Sequence, residues 1–266
     1  QLPTSAEMQR IAAEVGFSET AFAAPRSGSR RTVRYYSPEA EVAFCGHATI
    51  AAHFVRATVL DLPPMTVRQL SGVGVLPIEI SRRSDGHRVT MTQGPLEFGP
   101  ILENGVIDRL CAALGIDRRD LDTLPIQTVS TGSRKVMVPI RTSARLDSLE
   151  PDLAAVSALT HELSANGIFA FTFDAARDGV LTSCRMFAPL IGIPEDPVTG
   201  NGNGPLGAYL LQHGVIAAGE FRSLQGKAMG RPGIVRVQVE GKRGAIERIR
   251  VGDEAVIAFS TTITVQ

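Results

Sequence analysis

Residues 34–38 are Arg-Tyr-Tyr-Ser-Pro, and residues 185–189 are Arg-Met-Phe-Ala-Pro. Both segments begin with an arginine, carry an aromatic side chain two residues later, and then a small residue and a proline. Cys45-Gly46 follows the first segment and Thr199-Gly200 follows the second, and we predict that each pair opens a helix. Two distant parts of the chain thus share one local pattern.

A third match follows in the same order. Gln69-Leu70-Ser71-Gly72 corresponds to Leu224-Gln225-Gly226, and the offset between matched residues stays between 151 and 156 throughout. A shared order at a near-constant offset predicts an internal duplication. We therefore expect an α+β fold of two pseudo-symmetric lobes, with the active site in the cleft between them. The first lobe is expected to cover residues 1–115, with a last strand at 258–266 as a candidate to complete it, and the second lobe residues 116–257.

Composition excludes several classes of protein. The chain has 266 residues, 27 basic and 27 acidic side chains, no tryptophan and 5% aromatic residues. A nucleic-acid-binding protein normally carries a basic excess, and a polybasic membrane anchor needs one too. Three cysteines without close spacing fit neither a disulfide framework nor a zinc knuckle. We expect a cytoplasmic protein whose partner is a small molecule rather than a nucleic acid or a membrane.

The two predicted helix starts indicate the charge of that small molecule. Helix N-termini present unpaired N–H groups and a partial positive charge. A cleft that contains two of them would hold a carboxylate well. The organisation alone therefore predicts a small anionic substrate.

Glu19 is the first candidate for chemistry. It lies between a predicted helix and an apolar strand, in Ser18-Glu19-Thr20. On the wall of a cleft it would act as a general acid and base, with a pKa that burial raises toward neutrality. The alternative is an exposed glutamate on an edge strand, and the spacing alone favours that alternative.

Cys45 and His47 lie at a predicted junction of turn and helix. Cys45 could serve there as a base or nucleophile, and His47 could orient a substrate or move a proton. The alternative is a small buried cysteine beside a histidine that caps the helix. No metal site is predicted, because His47 and His53 are six residues apart and fall on different faces of a helix.

The segment from Glu195 to Gly204 is the most distinctive of the chain, with a glycine at every second position from Gly200 to Gly204. It lacks the Lys-Ser/Thr of a phosphate-binding P-loop. We interpret it as a turn that binds a carboxylate, with Asp196 as a second acid or as the group that orients a substrate amine. A purely structural capping turn, in which Asp196 fixes Pro197, is the alternative.

Three motifs together resemble the PhzF-like (phenazine biosynthesis) isomerases, with the YddE-type members closest. They are Ser18-Glu19-Thr20-Ala21-Phe22, Cys45-Gly46-His47-Ala48-Thr49 and Glu195-Asp196-Pro197-Val198-Thr199-Gly200. The resemblance implies the diaminopimelate epimerase-like fold, an isomerase that works without a cofactor, and a homodimer. It implies that Glu19 moves a proton between carbons of the substrate and that His47 and Asp196 assist in the pocket. The residues expected to bind the substrate are Gly46, Ala48, Thr199, Gly200 and Asn201.

Three departures from the family pattern qualify these expectations. Asn201 stands where the phenazine enzyme has serine, which puts the phenazine substrate in doubt. Thr199 stands at the second of two positions where the related epimerases have cysteine, so a two-thiol racemase is not expected. Family members also carry an additional N-terminal strand and a Gly-Asn-Pro-like turn, which we expect to be missing here.

The function expected from the sequence is a cofactor-independent isomerase of a small carboxylate that uses Glu19 as its general acid and base. Two alternatives stay open at this point. One is an amino-acid epimerase or racemase that uses Cys45 with another base. The other is a small-carboxylate binding protein that has kept the fold and lost catalysis.

Overall fold

A computed structural model describes residues 2–24, 30–84, 86–174, 179–253 and 255–263. Contacts divide the chain into two compact units, one formed by Gln1–Thr92 with Gly252–Gln266 and the other by Gln93–Val251. Both units combine helices with β-structure, which confirms the expected α+β class. Within the described ranges, no helix combines the length and apolar character that a membrane span requires.

The first unit contains two helices and six strands in its described part. In chain order they are α1 (Ser5–Val15), β1 (Thr20–Ala23), β2 (Arg30–Tyr36), β3 (Glu41–Val42), α2 (Gly46–Val59), β4 (Met65–Ser71), β5 (Gly74–Arg83) and β6 (Gly86–Thr92). The strand order is β1-β2-β4-β5-β6, with the short β3 added to β2. The β2–β4 pair is parallel and the β1–β2, β4–β5 and β5–β6 pairs are antiparallel.

Alternation along β2 positions the two helices of this unit. Val33 and Tyr35 pack with Cys45 and Ala48 at the start of α2. Tyr36, on the opposite face of the strand, packs with α1. Because side chains alternate across a strand, one strand carries both helices, and the start of α2 is anchored in the core.

The second unit is larger. Its described elements are β7 (Leu96–Ile101), α3 (Asn104–Leu114), β8 (Gln127–Thr131), β9 (Arg134–Pro139), α4 (Ser143–Asp147), α5 (Leu153–Glu162), β10 (Ile168–Thr172), β11 (Thr182–Ala188), β12 (Ile193–Asp196), α6 (Gly200–Gln212), β13 (Gly219–Gln225), β14 (Gly233–Lys242) and β15 (Ala245–Asp253). The strand order is β15-β14-β13-β11-β10-β9-β8-β7, with β12 added to β11. Short 3-10 turns cover Arg118–Asp120, Pro189–Ile191 and Lys227–Met229.

The internal duplication is visible in this order of elements. The series β1-β2-β3-α2-β4-β5-β6 of the first unit recurs as β10-β11-β12-α6-β13-β14-β15 in the second. In both series a helix connects two parallel strands, β2 with β4 and β11 with β13. The helices begin at Gly46 and Gly200, as the repeated motifs predicted.

The expected lobe boundary at residue 115 is wrong. The unit boundary falls between Thr92 and Gln93, and α3 belongs to the second unit. The reason is packing, because Leu110 and Leu114 of α3 are buried in one core with side chains of β9, α5 and β10. The periodicity of residues 104–114 predicts this helix at its observed bounds, but it does not show which sheet the helix packs against.

The last strand expected at 258–266 is not observed in the part of it that the structure describes. Residues 255–263 belong to the first unit but have no regular secondary structure, and residues 264–266 lie outside the described part. Val256 and Phe259 are largely exposed. Alternation of apolar residues predicts a strand only where a neighbouring strand supplies hydrogen-bond partners.

Candidate active site

Glu19, Cys45 and His47 come together in the first unit. Glu19 follows the left-handed Gly16 that ends α1 and directly precedes β1. Cys45 is the extended residue before α2, and His47 is the second residue of that helix. The Nε2 atom of His47 lies 3.1 Å from Oε2 of Glu19 and 3.5 Å from Sγ of Cys45. The sequence had nominated all three residues, and the fold places them in one cluster.

Electrostatics give this cluster a defined charge state. The hydrogen bond with Cys45 and then the one with Glu19 raise the pKa of His47 to about 10, against the opposing effect of burial. The hydrogen bond from His47 lowers the pKa of Glu19, and this effect outweighs the burial that would raise it. At neutral pH the pair is therefore a carboxylate and an imidazolium. The expectation that burial would raise the pKa of Glu19 is wrong, because a cationic partner in contact outweighs partial desolvation.

The start of α2 also offers backbone donors. The first intrahelical bond runs from the N–H of Thr49 to the carbonyl of Cys45 at 3.0 Å. The N–H groups of Gly46, His47 and Ala48 precede that bond, so the helix itself provides them with no acceptor. The side chain of Ala48 is buried against β2. Only the backbone of Ala48 can therefore serve a ligand.

A second network surrounds Asp196 in the second unit. Asp196 ends β12, and Thr199 is the residue before α6. The hydroxyl of Thr199 donates to Oδ2 of Asp196 at 2.6 Å, and the N–H of Val198 donates to Oδ1 at 3.4 Å. The hydroxyl that stands in place of a second thiol thus holds the carboxylate of Asp196.

Gln225 is a residue of this network that sequence reasoning did not nominate. Its amide nitrogen donates to the Asp196 carbonyl at 2.7 Å and to the Thr199 hydroxyl at 3.0 Å. Its amide oxygen accepts from the Thr199 N–H at 3.1 Å and from the Asn203 side chain at 3.0 Å. A buried glutamine that makes four such bonds fixes the whole turn. A signal was present in the sequence, because Gln225 lies in the repeated segment Leu224-Gln225-Gly226.

The glycine density of this segment has a structural cause. Residues 202–211 are all buried in α6. A Cβ atom on Gly202 would lie 2.3 Å from the ring of Phe169. Gly200 and Asn201 form the first turn of α6, where N–H groups lie outside the helical ladder. The alternating glycines therefore serve close helix packing as well as the helix start to which a ligand role was assigned.

Lys135 is a second residue that the sequence did not single out. It lies in β9, is 3% exposed, and its Nζ donates to the Ser133 hydroxyl at 2.6 Å. Burial lowers the pKa of Lys135 to about 8, and the charge of Asp196 opposes that shift. A buried cation thus lies within electrostatic reach of the Asp196 turn. A single lysine in an alternating strand carries no pattern that would have revealed it.

Comparison with known proteins agrees with this fold and with these motifs. The sequence profile of the PhzC-PhzF family, described as phenazine biosynthesis-like protein, matches residues 3–261. The uncharacterized isomerase YddE of Escherichia coli strain K12 is 41% identical over 261 residues, which are 96% of this chain and 87% of YddE. A trans-2,3-dihydro-3-hydroxyanthranilate isomerase of Pseudomonas chlororaphis is 30% identical over 262 residues, 98% of this chain and 89% of that enzyme.

A solved structure extends the agreement to three dimensions. The PhzF-family phenazine biosynthesis protein of Bacillus anthracis superposes with a TM-score of 0.83 at 27% identity, over 95% of this chain and 86% of that one. The expected diaminopimelate epimerase-like fold is confirmed by this and by more distant structural matches. The chain therefore belongs to the PhzC-PhzF family of phenazine biosynthesis-like proteins and is an isomerase of that family.

Proposed function

We propose that this isomerase moves a proton between two carbon atoms of a small carboxylate, with Glu19 as the base and His47 as the acid. The observation that carries the proposal is the contact of 3.1 Å between Glu19 and His47, together with the charge state it sets. The name of the Pseudomonas relative, whose substrate is an anthranilate, supports a carboxylate substrate.

The chemistry follows from the charges. Ionised Glu19 accepts a proton from a carbon next to an activating group, and the electron pair passes into that group. The imidazolium of His47 and the N–H groups at the start of α2 stabilise the negative charge that develops. Protonated Glu19 then returns the proton to a different carbon. The composition of the substrate is unchanged, so the reaction needs neither an oxidant nor a second substrate.

The same pair limits which substrates can react. A carboxylate with a lowered pKa is a weak base, so the carbon acid must be activated by a neighbouring double bond or carbonyl group. Contact of the substrate with His47 would weaken the Glu19–His47 pair and restore the basicity of Glu19. We therefore expect binding of the substrate and activation of the base to be coupled.

Proton exchange in deuterated water tests the proposal. Wild-type protein should introduce deuterium at carbon into trans-2,3-dihydro-3-hydroxyanthranilate or into a member of a panel of related amino and hydroxy acids. Glu19→Gln should lower the rate by about 10²–10⁴-fold, because it removes the general base. Proton NMR of each compound measures the exchange.

The controls separate chemistry from binding. Glu97→Gln is a matched substitution at an exposed carboxylate and should leave the rate unchanged. Full exchange by Glu19→Gln would contradict the proposal. Line broadening of a compound without exchange in wild type would favour a binding protein instead.

The turn around Asp196 is the second part of the proposed site. We propose that Asp196, Thr199, Gly200 and Asn201 bind polar groups of the substrate. Asp196→Asn should raise KM more than it lowers kcat. An unchanged KM would remove this turn from the binding site.

One contact favours a second candidate, an epimerase that uses Cys45. The Sγ of Cys45 lies 3.5 Å from His47 Nε2, within reach for proton exchange between thiol and imidazole. In this case Cys45→Ser would abolish exchange at a stereocentre, and substrate would protect the protein from inactivation by iodoacetamide. If Glu19 is the proton carrier, Cys45→Ser keeps most of the exchange rate.

A further inference from the structure

The Glu19–Cys45–His47 cluster has a property that isomerase chemistry does not use. A carboxylate oxygen, a thiol sulfur and an imidazole nitrogen all lie within 4.8 Å of one another. Among the residues that the structure describes, this is the only group of three or more His, Cys, Asp or Glu side chains that converges in this way. Oxygen, sulfur and nitrogen are the three ligand types that zinc uses in proteins.

Two of the three ligand separations are close to those of a tetrahedral zinc site, and the third, between the Glu19 oxygen and Cys45 Sγ, is within 4.8 Å. With Zn–N and Zn–O bonds of about 2.0–2.2 Å and a Zn–S bond of about 2.3 Å, tetrahedral ligands lie roughly 3.3–3.6 Å apart. The observed separations are 3.1 Å for His47 Nε2 to Glu19 Oε2 and 3.5 Å for His47 Nε2 to Cys45 Sγ. Cys45 Sγ also lies 3.6 Å from His47 Nδ1, so the His47 ring has to rotate to direct Nε2 at an ion shared with the other two ligands.

Access and ligand softness point to the same ion. The His47 side chain is 44% exposed, so the cluster has one side open to solvent. A thiolate favours zinc over magnesium or calcium, which prefer oxygen ligands. Three protein ligands leave one tetrahedral position for water or another small ligand.

We propose that Glu19, Cys45 and His47 bind one Zn²⁺ ion through a carboxylate oxygen, Sγ and Nε2. The ion takes the place of the protons carried by the Cys45 thiol and by His47 Nε2, and these protons pass to solvent. Bound zinc occupies the base and the acid at once, so it blocks proton transfer. The inhibitory part rests on the proposed function, whereas the binding part does not.

Metal binding is measured directly on the purified chain. Equilibrium dialysis with Zn²⁺ should give one equivalent per chain in wild type. Co²⁺ in place of zinc should give a near-ultraviolet thiolate-to-cobalt charge-transfer band, which reports on the cysteine ligand. Cys45→Ser should abolish the band and weaken zinc binding at least tenfold.

Two further variants keep the test decisive. Cys111→Ala changes a cysteine that is buried in the other unit and should keep both the band and the stoichiometry. Glu19→Gln should keep the band but weaken zinc binding, and it provides a second test if Cys45→Ser does not fold. Equal zinc affinity of wild type and of a folded Cys45→Ser, or no band in wild type, would overturn the proposal.

Proton exchange then separates the two proposals. Zinc binding without exchange in any compound would leave the metal site standing and remove the isomerase mechanism. Exchange that continues at saturating zinc would overturn the inhibitory part alone. Loss of exchange at one equivalent of zinc, restored by a chelator, is the result we expect.

Discussion

The two units place an arginine, a glutamate and an aromatic ring in the same arrangement at corresponding positions. Arg34 pairs with Glu41 and lies over the Tyr36 ring, with 5.3 Å from the guanidinium carbon to the ring centre. Arg185 pairs with Glu195 and lies over Phe187 at 4.9 Å. Each arginine ties its strand to the chain segment that leads into the helix. The repeated sequence thus forms the same ion pair and the same arginine–aromatic contact in both units.

A glycine at the end of the strand that follows each helix is a second feature that the two units share. A Cβ on Gly72 would lie 2.8 Å from the backbone of Ala43, and one on Gly226 would lie 2.7 Å from the carbonyl of Pro197. In both units a glycine lets the strand end pass close to the segment before the helix. These contacts explain why a glycine recurs at this position.

The units differ at the helix start. Cys45-Gly46-His47 carries a thiol and an imidazole, whereas Thr199-Gly200-Asn201 carries a hydroxyl and an amide. In the first unit the polar groups meet Glu19 and form a titratable pair. In the second unit Thr199 and Asp196 are tied to Gln225. The two units therefore share the arrangement of strands and helix but differ in the polar side chains at the start of the helix.

The two arginines should give the largest contrast in stability. Arg185 is 9% exposed and also donates to the carbonyls of Leu146, Asp147 and Leu149. Arg185→Met leaves Glu195, whose side chain is 16% exposed, without its partner and should cost about 3–5 kcal/mol in the free energy of unfolding. Arg34→Met removes a pair whose arginine is 30% exposed and should cost about 0.2–1 kcal/mol. Urea unfolding measures both, and equal costs would break the comparison.

The charged groups of the two units should respond to pH in opposite directions. The pKa of Lys135 is lowered to about 8, from 10.5 for a free lysine. The buried charge therefore destabilises the native state fully below pH 8, and this destabilisation decreases as pH rises toward 10.5. Lys135→Met should therefore be more stable than wild type by up to roughly 3 kcal/mol at pH 7, with the difference shrinking above pH 8.

His47 supplies the matched opposite case. Its pKa is raised to about 10, so its stabilising contribution is complete below pH 6.5 and is lost as pH rises through 10. His47→Gln should be less stable than wild type at pH 6 and equal to it above pH 10. Thermal unfolding between pH 6 and 10.5 measures both variants. Parallel pH profiles for the two variants would contradict the assigned charge states.

Substitution of Gln225 and of Gln69 should give the smallest difference in unfolding free energy between the two units. Gln225→Met leaves the Thr199 N–H without its acceptor, removes one of the two acceptors of the Asn203 amide, and should cost about 1–3 kcal/mol. Gln69 makes two bonds, to Tyr35 and His53. Gln69→Met should cost about 1 kcal/mol, because Tyr35 keeps its bond with Thr49. A larger loss for Gln69→Met in urea unfolding would show that the first unit depends more on its buried network.

Much of the fold and part of the site could be predicted from local pattern. The pattern Thr4-Ser5-Ala6-Glu7 predicts a capping box and the periodicity of residues 104–114 predicts a helix, and both are observed. The sequence pattern predicted no strand at β3, β7, β8, β9 or β12. The β8 sequence, Gln127–Thr131, is mostly polar although every residue in it is buried. Burial of polar strands depends on neighbours that are distant in the chain, and periodicity does not reveal them.

Order and spacing along the chain already predicted a duplicated α+β protein with two helix starts, and the three family motifs singled out Glu19, His47 and Asp196. These features can be read from the sequence alone. Tertiary structure decided the rest. It placed His47 against Glu19, which reversed the expected pKa shift, and it buried Lys135 near Asp196 and Gln225 beneath Thr199. Charge state and hydrogen bonding depend on distances of a few ångströms between residues far apart in the chain, and only the folded chain sets those distances.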